Sequence, residues 1–260
     1  MRISISVTDY SWREALPEQL ARVASAADEA GLDTVWVPDH LLQAAPGSDP
    51  DSAMLEAYTT LGYLAAVTTR VRLGTLVTAV TYRPPAVMVK AVTTLDVLSG
   101  GRAWLGLGAG YLEEEAQRFA LPLPAVPERF DALEAALQTA LAMWTDASPA
   151  PASRPHPPIL IGGTGERRTL PLVARYADAC NLFDIPDGGA TVRHKLDVLR
   201  RHCEAIGRNF DSIEKTLSTR LAPGESLDAF RERITSLGID HAIVLTQGAW
   251  RHEDIERLAG

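Results

Sequence analysis

A chain of 260 residues, 46% of them hydrophobic, is long enough to bury one sizeable core or two small ones. Its formal charge of −8, with no basic cluster, argues against nucleic acid or an acidic membrane surface and leaves a small molecule as the expected partner. Cys180 and Cys203 stand in no CxxC or metal-ligand spacing, no apolar run approaches the ~18 residues of a membrane span, and the first residues read as a strand rather than a secretion signal. A reducing, cytoplasmic protein without a metal centre is expected.

Strand and helix alternate from the first residues onward. A strand over 2–7 leads to a helix whose Leu20, Val23, Ala24 and Ala27 share one face and which stops at Gly31, a C-cap tolerant of positive φ. Strands follow over 34–37 and 72–77. The stretch "PPAVMVKAVTTLDVLSGG" then has proline in its first turn and glycines past its last, the usual asymmetry of a helix. A fourth strand covers 103–107. Residues 121–158 break the rhythm with a proline-rich run, an extra helix over 128–144 and the stiff connector "TDASPAPASRPHPP", which reads as a surface crossover rather than a domain boundary. Strands over 159–161, 179–182, 212–218 and 241–245 complete the set. The last is preceded by a helix with Leu227, Phe230, Ile234 and Leu237 on one face and Gly238 after it. Such alternation demands parallel strands, and eight units close into a (β/α)8 TIM barrel, one α/β domain over residues 1–260.

In such a barrel the active site lies at the C-terminal ends of the strands. Every predicted tip here carries polar residues or glycine: Thr8 and Asp9, Asp39 and His40, Thr78, Gly108 to Gly110, Gly162 to Gly165, Asn181 with Phe183 and Asp184, Thr219 with Arg220, and Thr246 with Gln247. His40 is the first candidate for catalysis, because imidazole exchanges protons near neutrality and this one follows a buried strand. The run Gly162-Gly163-Thr164-Gly165, between an apolar strand and a helix expected to start near Glu166, suits a phosphate held by backbone N–H groups. No Gly-Lys-Ser/Thr follows, so it is not a triphosphate loop. "WLGLGAGYLEEE" has GxGxG spacing and no later acidic residue for a ribose, so it is a poor dinucleotide fingerprint; Glu113 to Glu115 read as a solvated helix start.

Taken together, "LDTVWVPDH", "RVRLGTLVTAVTYRPPAV", "TLDVLSGGRAWLGLGAGYLEEE" and "PPILIGGTGERRTLPLVARYADACNLF", in this order, resemble the luciferase-like monooxygenase family, particularly its deazaflavin (F420)-dependent oxidoreductases. The resemblance covers nearly the whole chain. It implies a (β/α)8 barrel that binds F420, or alternatively FMN, at the strand tips, with His40 as proton donor or acceptor in hydride transfer and Asp39 beside the ring. Leu76, Val77 and Thr78 would form a bulge behind the ring, with a non-proline cis peptide at Leu76-Val77. Ala109, Gly110 and Gly162 to Gly165 would hold the ribityl chain and phosphate. The connector before strand five is shorter than the excursion usual in relatives. Where some relatives place a catalytic glutamate after strand four, this chain has Tyr111 and Leu112, so no second catalytic carboxylate is carried over.

Trp12, Tyr111 and Trp250, each in a loop after a strand, are candidates for the substrate wall and could equally serve the core. Apolar residues on more than one face of "AVMVKAVTTLDVL" suggest a homodimer. Beside the F420 oxidoreductase stand an FMN-dependent monooxygenase and a non-catalytic flavin-binding or interaction barrel.

Overall fold

Eight parallel staves close a ring in the computed structural model, which describes residues 1–44 and 48–259. In chain order the elements are β1 (Arg2–Ser6), α1 (Leu16–Glu29), β2 (Thr34–Val37), α2 (Ala57–Val67), β3 (Arg72–Thr75), β4 (Thr78–Ala79), α3 (Pro85–Leu98) and β5 (Ala103–Gly108). Then come α4 (Glu113–Arg118), α5 (Val126–Thr145), β6 (Ile159–Gly162), α6 (Thr169–Tyr176), β7 (Ala179–Phe183), α7 (Ala190–Ala205), β8 (Glu214–Thr219), α8 (Leu227–Ser236), β9 (His241–Val244) and α9 (His252–Ala259). β1 pairs with β2 and β9, and β3 with both β2 and β5, so no edge is left open. The two-residue β4 continues the stave of β3 and pairs with the end of β5.

Alternation sorts the side chains. Residues turned outward meet the helices, where Leu20, Val23, Ala24 and Ala27 of α1 and Phe230 and Ile234 of α8 are buried. Gly31 and Gly238 end those helices at φ +70° and +78°, and Leu227 is only half-buried. Residues turned inward fill the lumen with a second apolar cluster of Trp36, Trp104, Leu160, Ala179 and Ile243. Gly74 lies in register between the two tryptophans, and a Cβ there would come within 2.7 Å of both. At the floor, buried His241 bridges Ser4 (2.5 Å) and Glu214 (2.6 Å), which makes it a structural histidine.

The crossover packs on the barrel. Leu133, Ala136, Leu137, Ala140 and Trp144 of α5 are buried, and Trp144 Nε1 donates to Thr93 Oγ1 on α3 at 2.9 Å. The proline-rich connector is fastened where Ser153 donates through N (2.8 Å) and Oγ (2.6 Å) to buried Asp96.

Most predicted ends shift by one or two residues, and three shifts have a visible cause. The strand expected over 72–77 breaks between Thr75 and Thr78. The one expected from residue 212 starts at Glu214, because a 3-10 turn over Phe210–Ser212 is capped by Asn209 accepting from the Asp211 N–H. The helix expected near Glu166 starts at Thr169, since Glu166 is drawn aside to Lys195 (2.5 Å) and His194 (2.9 Å) on α7. No described helix is long and apolar enough to cross a membrane.

Candidate active site

The break between β3 and β4 is a bulge at the cis peptide Leu76-Val77. Glycines on the neighbouring strands make room for it. A Cβ on Gly106 would stand 1.9 Å from the Thr75 carbonyl oxygen, one on Gly108 2.8 Å from Val77 Cγ2, and one on Gly162 3.1 Å from Val77 Cγ1. Gly106 and Gly108 of "WLGLGAG" are thus the packing surface of the bulge. Thr78 lies behind it, its hydroxyl bonded to Tyr58 (2.8 Å) and Thr75 (3.0 Å) and wholly buried.

β2 ends in Pro38-Asp39-His40. Both Asp39 oxygens receive the Arg83 guanidinium, at 2.5 and 2.9 Å, and Arg83 also reaches Glu56 at 2.6 Å. Burial pushes the Asp39 carboxyl up against the pull of Arg83. Burial alone would lower Arg83, but the hydrogen bond and charge of Asp39, with the hydrogen bond to Glu56, hold it above its usual value. Asp39 therefore borders the cavity while its carboxylate faces the protein, where it braces the strand end.

His40 is turned to Glu115. Its Nδ1 lies 2.9 Å from Glu115 Oε2, and the same carboxylate accepts from the Leu41 and Leu42 N–H groups and the Tyr82 hydroxyl. Glu115 is 0% exposed, which corrects the expectation of a solvated acidic run: Glu113 and Glu114 are exposed, Glu115 is not. The resemblance carries over no second carboxylate, and the structure sets Glu115 beside His40. A signal existed, since Glu115 shares a helical face with Leu112 and Ala116, the face that must turn inward. A carboxylate on Nδ1 accepts its proton and leaves the Nε2 lone pair free in the neutral ring.

Asp39, His40 and Tyr82 border an inner chamber of about 590 Å³ at the C-terminal ends of the strands, with Glu115 behind His40. Leu76 and Val77 form one wall, Ala109 and Gly110 lie beside Gly108, and Gly162 and Gly163 close the far side. Gly163 has φ +124°, and a Cβ on it would meet Thr169 Cγ2 at 3.3 Å, so the turn folds tightly over the first residue of α6. Thr164 and Gly165 lie one step beyond the chamber, and Thr169 lines it instead, a residue missed because the helix was expected to begin earlier. Ser6 Oγ and Asn181 face the same space. Ser6 Oγ is buried with no protein partner, whereas Asn181 is bonded to Ser218 at 3.0 Å and Thr216 at 2.9 Å. Cys180 is no nucleophile, because burial pushes its thiol up to about 12.

Of the three aromatic wall candidates, Tyr111 stands in the mouth, 67% exposed, with its ring 5.8 Å from that of His40. Trp250 is 2% exposed, borders an outer chamber of about 1130 Å³, and donates to the Ser6 carbonyl at 2.8 Å. The expectation for Trp12 is corrected: it lines neither chamber, and its indole donates to the Trp250 carbonyl at 2.9 Å, tying the β1 and β9 loops together.

A barrel whose strand tips join an imidazole to a buried carboxylate, above a chamber long enough for an organic cofactor, defines an enzyme of the (β/α)8 class. Residues 4–259 match the family described as luciferase-like monooxygenase, and the chain belongs to that family. The F420-dependent glucose-6-phosphate dehydrogenase of Kineococcus radiotolerans is 31% identical to it over 83% of this chain and 68% of its own. That of Amycolatopsis mediterranei is 28% identical over 79% of this chain and 65% of its own. The chain thus spans about two thirds of the length of these relatives. A solved F420-dependent secondary alcohol dehydrogenase, in complex with an F420-acetone adduct, superposes with a TM-score of 0.83 at 16% identity, covering 99% of this chain and 97% of that one; at this identity the likeness bears on the fold.

Proposed function

We propose that this chain is an F420-dependent oxidoreductase that passes a hydride between the deazaflavin and a small organic substrate. The observation that carries the proposal is His40 on the inner chamber, beside the bulge, with its Nδ1 2.9 Å from the buried Glu115 carboxylate. The F420 dependence named for the relatives supports it. The residues present fit such a cofactor: a glycine turn that a Cβ at Gly163 would crowd, and a buried Ser6 hydroxyl without a partner, both facing one chamber. When bound, the deazaflavin supplies the carbon centre that takes up or releases the hydride. The protein binds, orients and protonates. The turn from Gly162 through Gly163 to Thr164 and Gly165, with Thr169, would hold the phosphate, the N–H groups beyond Gly163 meeting the anion while the Gly163 N–H stays on the Asn181 carbonyl at 3.2 Å. Ala109 and Gly110 flank the ribityl chain, Leu76 and Val77 back the ring with Thr78 behind them, and Asp39, fixed by Arg83, holds the strand end. His40 gives or takes the proton at Nε2, and Tyr111 walls the substrate.

Titrating the purified protein with F420 and with FMN tests this, because the two differ in absorbance and in reactivity with oxygen. F420 binds more tightly, and Gly163→Val weakens it by about 10²-fold or more, since a branched side chain would stand where backbone N–H groups meet the anion. Much tighter binding of FMN would shift the reading to an FMN-dependent monooxygenase. Binding of neither at about micromolar concentration, an affinity of roughly −8 kcal/mol, would leave a non-catalytic barrel.

A homodimer is proposed as well. Val87 (57%) and Leu98 (76%) are exposed at the two ends of α3, and a second copy would cover them. Light scattering across a concentration series should return twice the chain mass; a constant monomer mass rejects the dimer. A cytoplasmic location accompanies this reading, supported by two free, buried cysteines.

A further inference from the structure

The oxidoreductase reading gives the outer chamber no task. Six charged side chains border it: the arginines Arg220, Arg233, Arg251 and Arg257, and the aspartates Asp184 and Asp254. Both aspartates are already engaged. Asp184 accepts from Thr219 Oγ1 at 2.6 Å and pairs with Arg233 at 3.2 Å, while Asp254 pairs with Arg251 at 2.9 Å. Arg233 is further held by Glu225 at 2.8 Å. Arg251 also meets Glu253 at 2.6 Å, and among the described residues Arg220 and Arg257 are the two arginines of the chamber that enter no ion pair. A concave cleft with low-dielectric walls concentrates the field of such an unpaired guanidinium.

Arg220 is the better placed of the two. It follows Thr219 at the tip of β8 and lines both chambers, as do Tyr111 and Phe183. Arg233 Nη2 donates to its backbone carbonyl at 3.1 Å, which fixes the main chain from which the side chain projects. The one carboxylate on the adjoining strand end, Asp184, is turned to Arg233 and Thr219. Arg220 therefore borders the chamber that holds His40 as well as the chamber open to solvent. Its planar fork matches a carboxylate or a phosphate with two parallel hydrogen bonds. Phe183, 53% exposed, and Tyr111 present apolar area beside it.

We propose that Arg220 selects a substrate carrying an anionic group, a carboxylate or a phosphate, which it grips while the remainder of the molecule lies along Tyr111 and Phe183 and reaches towards His40. This rests on the oxidoreductase reading above. Binding of F420 to the parent protein is measured first, and its failure strikes that reading before any anion is added.

The F420-loaded protein is then titrated calorimetrically with two matched pairs, glucose 6-phosphate against glucose and 3-hydroxybutyrate against its methyl ester. In at least one pair the anion should bind about 10-fold or more tighter than its neutral partner, the scale of a charge-assisted hydrogen-bonded pair. Arg220→Gln should abolish that preference while F420 affinity stays within about two-fold, well inside the tenfold that 1.4 kcal/mol represents. Equal binding within both pairs, no binding of either anion below about 10 mM, an affinity weaker than roughly −3 kcal/mol, or an anion preference that survives in Arg220→Gln overturns the proposal. It is also overturned if Arg220→Gln weakens F420 itself by about 10-fold or more, because the guanidinium then serves acidic groups of the cofactor.

Discussion

Replacing His40 by alanine lowers turnover by about 10² or more and leaves F420 affinity within a few-fold of the parent, the usual scale for losing a general acid or base. The geometry separates the two effects. The imidazole touches Glu115 rather than the glycine turn, and its side chain is 20% exposed on the chamber wall. Its removal therefore takes away a proton carrier without disturbing the backbone that meets the phosphate. The pH dependence of turnover should also lose one limb. The assay follows loss or recovery of deazaflavin absorbance with a panel of alcohols, imines and activated alkenes. Parental turnover in His40→Ala would make His40 a structural residue at the strand end, and the proton carrier would be sought at Tyr111.

Glu115 should show a different split between its two replacements. Its buried carboxylate accepts from His40, Leu41, Leu42 and Tyr82, so Glu115→Ala leaves several donors without an acceptor in a dry site. Breaking such a buried cluster costs about 3–5 kcal/mol. In a chain of this size that lowers Tm by roughly 10 °C. Glu115→Gln keeps an oxygen for the Leu41 and Leu42 N–H groups and presents an amide N–H to His40, where an acceptor stood. The imidazole must then carry its proton on Nε2, the nitrogen left to serve the substrate. Glu115→Gln is expected to keep a near-parental Tm yet lose about 10²-fold in turnover, with an altered pH profile and little change in F420 affinity. Parental turnover and pH profile in Glu115→Gln would limit Glu115 to holding the fold.

Much of the architecture is legible in local patterns. Apolar runs of 4–6 residues, helical faces such as Leu20-Val23-Ala24-Ala27 and the glycines after them mark the staves and their helices, because period and turn chemistry depend only on residues a few positions apart. The strand tips follow, and with them His40, Gly162 and Gly163. The family motifs add the cis peptide at Leu76-Val77, found where the resemblance places it.

What the chain by itself leaves open lies between residues far apart in it. Glu115 meets His40 across 75 positions and Arg83 meets Asp39 across 44, and neither partner is marked by local spacing. Trp12 and Trp250 sit in loops after strands, as substrate-wall aromatics would, yet closure of the barrel turns both indoles to backbone carbonyls. Likewise Glu166 leaves the start of α6 because Lys195 and His194 of α7 attract it. Sequence determined the barrel, the ends at which its chemistry gathers and the histidine at one of them. Tertiary structure alone decided which carboxylate accompanies that histidine, which aromatic side chains reach the chambers and which of the outer chamber's arginines are left unpaired. Burial and charge pairing are settled by neighbours in space, and only ring closure brings those neighbours together.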